Sequence, residues 1–140
     1  MIGGVEQQFG EEYTATVELD AGQQKLKSDL SNAYPAEAGV KSFIRELNFS
    51  QDQVTVEDTL KLDGKRSIAI SLIVLGKPEI RQDGSVKMRK VKLIPEGLKA
   101  ESSACVDDLY PIDNPIWEDK LYELKLTGTE EHYKLVFTKA

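Results

Sequence analysis

Polar and apolar residues alternate along most of this chain. In "YTATVEL", Tyr13, Ala15, Val17 and Leu19 fall on one face. In "VTVEDTLKL", Val54, Val56, Leu60 and Leu62 share a face with Asp58, while Thr55, Glu57, Thr59 and Lys61 lie opposite. A period of two predicts strands with one wet side. "SIAISLIVL" is apolar on both faces and rich in β-branched residues, which predicts a central strand covered on both sides. "SVKMRKVKLI" changes phase: Val86 and Met88 occupy one face, Val91 and Leu93 the other, so a bulge or bend is expected near Arg89-Lys90. Near the end, Tyr122, Leu124 and Leu126 align, as do Tyr133, Leu135 and Phe137.

Turn chemistry separates these segments. Ser50-Gln51-Asp52 is short enough for a hairpin, and Asp63-Gly64 and Asp83-Gly84 are strong hairpin signals. Pro95, Gly97 and Gly128 mark further turns. "VDDLYPIDNPIW" has two prolines and no clean period, and reads as a long loop. Only "QQKLKSDLSNAY" has the pattern of a helical turn, near residues 23–33. Turns recurring every ~10–15 residues are the spacing of an all-β sandwich. The reading is an antiparallel β-sandwich spanning 1–140 as a single domain, with at most one short helical turn.

Composition narrows the function classes. A chain of 140 residues fits one domain and can hold a core. Its net charge of -6 argues against nucleic acid, whose phosphates need Lys and Arg. Cys105 stands alone, so no internal disulfide or cysteine metal site is expected; it reads as a small, partly buried apolar residue. The apolar run from Ile68 to Leu75 is too short to cross a bilayer as a helix. The opening "MIGGVEQQFGEEY" lacks the basic and apolar blocks of a signal peptide. No nucleotide fingerprint, phosphate-cradling loop or Ser-His-Asp arrangement is visible, and no cofactor is expected.

The lead-in "DLSNAYPAEAGVKSFIRELNF", followed by "VTVEDTLKL", resembles the C-terminal β-region of the heparinase II/III-like family of polysaccharide lyases. That family places an L-x-x-A-Y-P-x-E-A-G turn before a strand and a V-x-V-x-D hairpin partner after it. "VLGKPEI", "KVKLIP" and the ending from "NPIWEDKLYELKLTG" to "YKLVFTKA" are similar to its later strands, so the resemblance runs from about Ala21 to the C-terminus. It implies a bacterial parent in which an α/α-toroid joins a C-terminal β-sandwich and cleaves uronic-acid-containing polysaccharide, such as glycosaminoglycan, by β-elimination. The parent would be periplasmic or extracellular. The reaction needs a group to neutralise the uronate, a base for the C5 proton and an acid for the leaving oxygen. In the family these are Asn, His and Tyr from regions that this chain does not represent. The chain is therefore expected to be the terminal part of a larger lyase-like protein, with the missing toroid as partner, no catalytic residues of its own, and acidic polysaccharide as a possible ligand. A free-standing relative is the alternative.

Individual residues carry two readings each. His132 lies beside Tyr133, which invites a base-and-acid pair, but a strand-end histidine is the plainer account; with Glu130 and Glu131 it makes weak evidence for a metal. Tyr34, Trp117 and Tyr110 are candidate carbohydrate contacts by ring stacking. Against that, Tyr34-Pro35 with Glu37 and Gly39 reads as a rigid corner setting where the strand from Val40 begins, and Trp117 reads as packing for its loop. Arg45 shares a face with Phe43, Leu47 and Phe49, so an inward guanidinium needs a buried acid, and Asp58 sits within about a residue or two of the opposing position. Lys87 and Arg89 are expected on one face, Lys90 and Lys92 on the other, either guarding an edge strand or touching an acidic glycan or the toroid. Three functions follow, in descending order: an accessory β-domain of a polysaccharide lyase, a stand-alone carbohydrate-binding module, and a small independent enzyme.

Overall fold

The computed structural model describes residues 1–106 and 120–140. Among the described residues eleven strands form two antiparallel sheets: β1 (Thr14–Asp20), β2 (Lys25–Asn32), β3 (Val40–Phe49), β4 (Gln53–Leu62), β5 (Ile68–Leu75), β6 (Glu79–Ile80), β7 (Val86–Met88), β8 (Val91–Glu96), β9 (Lys99–Cys105), β10 (Leu121–Gly128) and β11 (His132–Lys139). The first sheet has eight strands in the order β1-β2-β3-β4-β11-β8-β7-β6, and the second has three in the order β5-β10-β9. The fold is all-β, as the alternation predicts. Among the described residues a single 3-10 turn falls at Ala36–Ala38. The 23–33 segment is instead a reverse turn leading into β2, whose Leu26, Ser28 and Leu30 face inward at a period of two.

The chain changes sheet four times: between β4 and β5, β5 and β6, β8 and β9, and β10 and β11. Asp63-Gly64 belongs to the first of these crossings, so it is not a hairpin; β4 and β5 lie in different sheets. Asp83-Gly84 does close a hairpin, with Ile80 opposite Val86, and Ser50 to Asp52 closes another, with Phe49 opposite Val54. The phase change at Arg89-Lys90 is a two-residue hairpin turn joining β7 to β8, with Arg89 in the left-handed region at φ 50 and Met88 opposite Val91. Reversal puts Lys87 directly opposite Lys92, so these two share a face; Arg89 and Lys90 are turn residues.

The core forms where the three-stranded sheet covers the β4, β11, β8 and β7 part of the larger one. Leu93, Val86, Leu124 and Leu126 are fully buried, and Phe43, Leu60, Ile68 and Leu135 nearly so. Burying side chains of this size contributes about 1.5–3 kcal/mol each. β5 is an edge strand rather than a central one: Ile68 is buried, but Ser71 and Ile73 are exposed. β1 lies beyond the core, with all seven residues exposed, so the Val17 and Leu19 stripe faces no second layer.

The corner before β3 is built as its sequence suggests. Pro35 is extended (φ -68, ψ 161) and Gly39 ends the 3-10 turn in the left-handed region (φ 64). The corner is locked to the β4–β5 crossing: Arg66 donates to both carboxylate oxygens of Asp63 at 2.8 and 3.0 Å and to the Glu37 carbonyl at 2.9 Å, and the Asp63 amide donates to the Gly39 carbonyl at 2.9 Å. A Cβ on Gly39 would collide with the Asp63 carboxylate and with Arg66 Nε. Gly39→Ala is therefore expected to lower unfolding free energy by about 2 kcal/mol or more, combining left-handed strain with loss of this lock. A urea midpoint unchanged from the parent would refute that account.

Candidate functional site

One transverse row of the large sheet is polar where its neighbours are apolar. Ser28 on β2 opposes Arg45 on β3, Arg45 opposes Asp58 on β4, and Asp58 opposes Tyr133 on β11. On one side runs the row Leu26, Leu47, Val56 and Leu135. All of these side chains face inward, because the alternation that buries Phe43 and Leu60 carries Arg45 and Asp58 with it.

Asp58 is fully buried, and Arg45 answers it with two parallel bonds: Nε to Oδ1 at 2.8 Å and Nη2 to Oδ2 at 2.6 Å. The guanidinium also lies over the Phe43 ring, 5.6 Å from its centroid. Burial alone would favour a neutral Arg45, but its bonds to Asp58 outweigh that and hold it more firmly cationic than usual. Tyr133 sits directly opposite Asp58 on the neighbouring strand. Burial first, then the Asp58 charge, pushes its ionisation well above the ordinary tyrosine range. Tyr34 is pushed up too, mainly by burial. Its ring stacks on Phe43, centroids 6.1 Å apart and planes 25° from parallel.

These groups border a cleft of about 190 Å³ where the large sheet meets β5 and the N-terminal segment. Tyr34, Arg45 and Tyr133 contribute from one side, Ser71 from β5, and Gln7 from the segment that precedes β1. The arrangement offers two neutral hydroxyls and a cation whose charge is balanced by Asp58. It can hold a small polar group by hydrogen bonds. Proton abstraction is a different matter, since both tyrosines resist ionisation and the carboxylate is occupied by Arg45.

Of the residues singled out from sequence, Arg45 and Asp58 are brought together as a pair, in direct register. Tyr34 forms the corner and contributes to the cleft wall, with its ring stacked on Phe43. Trp117 and Tyr110 lie outside the described residues. His132 and Tyr133 point to opposite faces of β11, so they cannot act together on one substrate: Tyr133 is buried, whereas His132 is on the outer face with Nε2 2.8 Å from Glu57 Oε1. No group of three or more potential metal ligands occurs among the described residues. Cys105 is buried, as expected of a small apolar residue. Tyr133, Ser71 and Gln7 were not identified from sequence as parts of one site. Tyr133 could have been found only by knowing that the last strand pairs with β4.

A second feature is the uncovered end of the large sheet. The inner row continues from Leu47 through Leu26 to Leu19, and the polar row continues from Ser28 to Val17. Val17 and Leu19 are 60% and 69% exposed, and Phe49 is 42% exposed on the same face. The eight-stranded sheet thus extends past its three-stranded cover and leaves an apolar shelf on β1 to β3.

Comparison of the chain with protein-family models and with curated proteins finds no match.

Two measurements bear on the buried cluster. Arg45→Met leaves Asp58 without its cation and is expected to cost about 3–5 kcal/mol, whereas Arg45→Met with Asp58→Leu should recover most of that loss. Additive losses in the double variant would mean that the pair is not coupled. Tyr34 and Tyr133 have folded ionisations raised above the unfolded value, so they add stability that is present below about pH 10 and lost as pH rises beyond it. Tyrosinate absorbance should accordingly show some of the five tyrosines ionising only as the fold is lost, with fewer such groups in Tyr133→Phe.

Proposed function

We propose that this chain is an accessory, structural β-sandwich domain of a heparinase II/III-like polysaccharide lyase, whose catalytic residues lie elsewhere in the parent protein. The observation that carries this reading is the apolar shelf formed by Val17, Leu19, Leu26, Leu47 and Phe49, which continues the core rows beyond the second sheet. Such a face suits a large apolar partner, and the resemblance carried by the lead-in "AYPAEAG" supports reading that partner as the α/α-toroid. The parent would cleave uronic-acid-containing polysaccharide in the periplasm or outside the cell. The domain would pack on the toroid and shape one wall of its substrate cleft.

The resemblance rests on the lead-in and on alternating strands. The structure gives the lead-in a mechanical role, because Gly39 and Arg66 together fix the angle at which β3 starts. A corner of this kind positions the sheet.

A second reading, a stand-alone carbohydrate-binding module, is favoured by the polar cleft of Tyr34, Arg45 and Tyr133. The two readings separate cleanly by experiment. The chain alone, mixed with acidic polysaccharides, is expected to produce no absorbance from a new C=C bond, and turnover would overturn the proposal. Leu19→Lys and Val17→Lys should change the chain's own stability by no more than about 0.5 kcal/mol, since both sites are exposed, while abolishing its association with the remainder of the parent protein. Calorimetric binding of uronic-acid oligosaccharides that is lost in Tyr34→Phe or Trp117→Ala would instead establish the module.

A further inference from the structure

The free edge of β1 differs from the other long edges of this fold. β6 ends the opposite side of the large sheet after only two residues. β9 is interrupted by a register shift opposite Lys125 and Leu126, which breaks its ladder. β5 is met at its start by the N-terminal segment, through the Ile2–Ile68 bridge and the Met1 carbonyl, which accepts from the Ala69 amide at 3.0 Å. β1 has its own register shift between Thr14 and Thr16, but along Thr16 to Asp20 its register with β2 is unbroken and no described residue pairs with its outer edge. It also carries no lysine, arginine or proline, the residues that ordinarily guard a sheet edge.

From this edge we infer that β1 accepts an extended strand from a partner polypeptide by β-addition, and that the incoming strand alternates apolar with basic residues. The inner positions of β1 are Val17 and Leu19, both largely exposed, so the incoming strand needs apolar residues on that face. The outer positions are Thr16, Glu18 and Asp20. Within the sheet Glu18 opposes Lys27 and Asp20 opposes Lys25, while the Lys25 ammonium is bonded to Glu46 at 2.7 Å. Extending those rows by one strand places lysine or arginine opposite Glu18 and Asp20. Glu11 and Glu12, exposed just before β1, add to the same negative field. A second copy of this chain is the wrong occupant. β1 laid antiparallel on itself gathers Glu18 and Asp20 from two chains, each of net charge -6, along one seam. The inference concerns the edge of β1, and it holds whether or not the shelf beside it docks a helical toroid.

The test uses the full 140-residue chain and short capped peptides as probes. A peptide alternating lysine with valine is expected to bind and to protect the β1 amides from hydrogen exchange, more strongly at low salt. The same peptide with glutamate for lysine should bind at least about tenfold more weakly, as should the lysine peptide to Glu18→Lys. Leu19→Lys, at an exposed position where the fold tolerates charge, should also lose at least about tenfold. Circular dichroism of both variants checks that the sheets are intact. Equal binding of the two peptides overturns the inference, as does protection of β5 or β9 in place of β1. Self-association of the chain that is lost in Leu19→Lys would overturn it as well, by giving the edge to a second copy.

Discussion

A carboxylate inside a β-sheet core is stable only while its charge is answered, and Asp58 is answered by Arg45 from the adjacent strand. The geometry is demanding. Both guanidinium bonds require β3 and β4 in direct register, and Tyr133 can join them only if β11 is in register as well. A slip of one residue on β3 or β4 would turn Arg45 or Asp58 to the outer face and leave its partner alone, and a slip on β11 would turn Tyr133 away from the pair. The pair adds little net stability over apolar substitutes. It excludes alternative registers across three neighbouring strands, and the apolar rows on either side then pack correctly.

The local part of this arrangement was legible in the chain. Alternation in "SFIRELNF" and "VTVEDTLKL" placed Arg45 and Asp58 on the inner faces, and a tight turn at Ser50 to Asp52 brought them opposite each other. The 3-10 corner, too, follows from Pro35 and Gly39, whose backbone limits are intrinsic. What failed depended on distant pairing. "SIAISLIVL" has the composition of a covered central strand, yet it sits at an edge, because β4 passes it to the smaller sheet rather than folding back. The same topology makes Asp63-Gly64 a crossing. Lys87 and Lys92 changed faces because a bend was expected where the chain reverses completely. Tyr133 entered the cluster through a pairing of β11 with β4 that no neighbouring residue announces.

Two unequal sheets explain where function can reside. Three strands cannot cover eight, so part of the large sheet's inner face meets solvent. Nearer the cover, the mismatch leaves the polar cleft, closed by Tyr34, Tyr133 and the segment before β1. Farther away it leaves the shelf of Val17 and Leu19. The outer face carries charge: Glu18, Lys27, Glu46, Glu57, Lys134 and Glu96 form one transverse row, and His132 with Glu57 belongs to that solvated surface.

The position of β11 has a consequence for how the molecule is made. It is translated after every other strand described, yet it lies in the middle of the large sheet, between β4 and β8. Until it leaves the ribosome, β1 to β4 and β6 to β8 are two separate ribbons, each with an unpaired flank, and Asp58 lacks Tyr133. Sheets closed by such long-range pairing form slowly and expose their flanks meanwhile. The two ribbons become one continuous sheet only when the final strand slides between them.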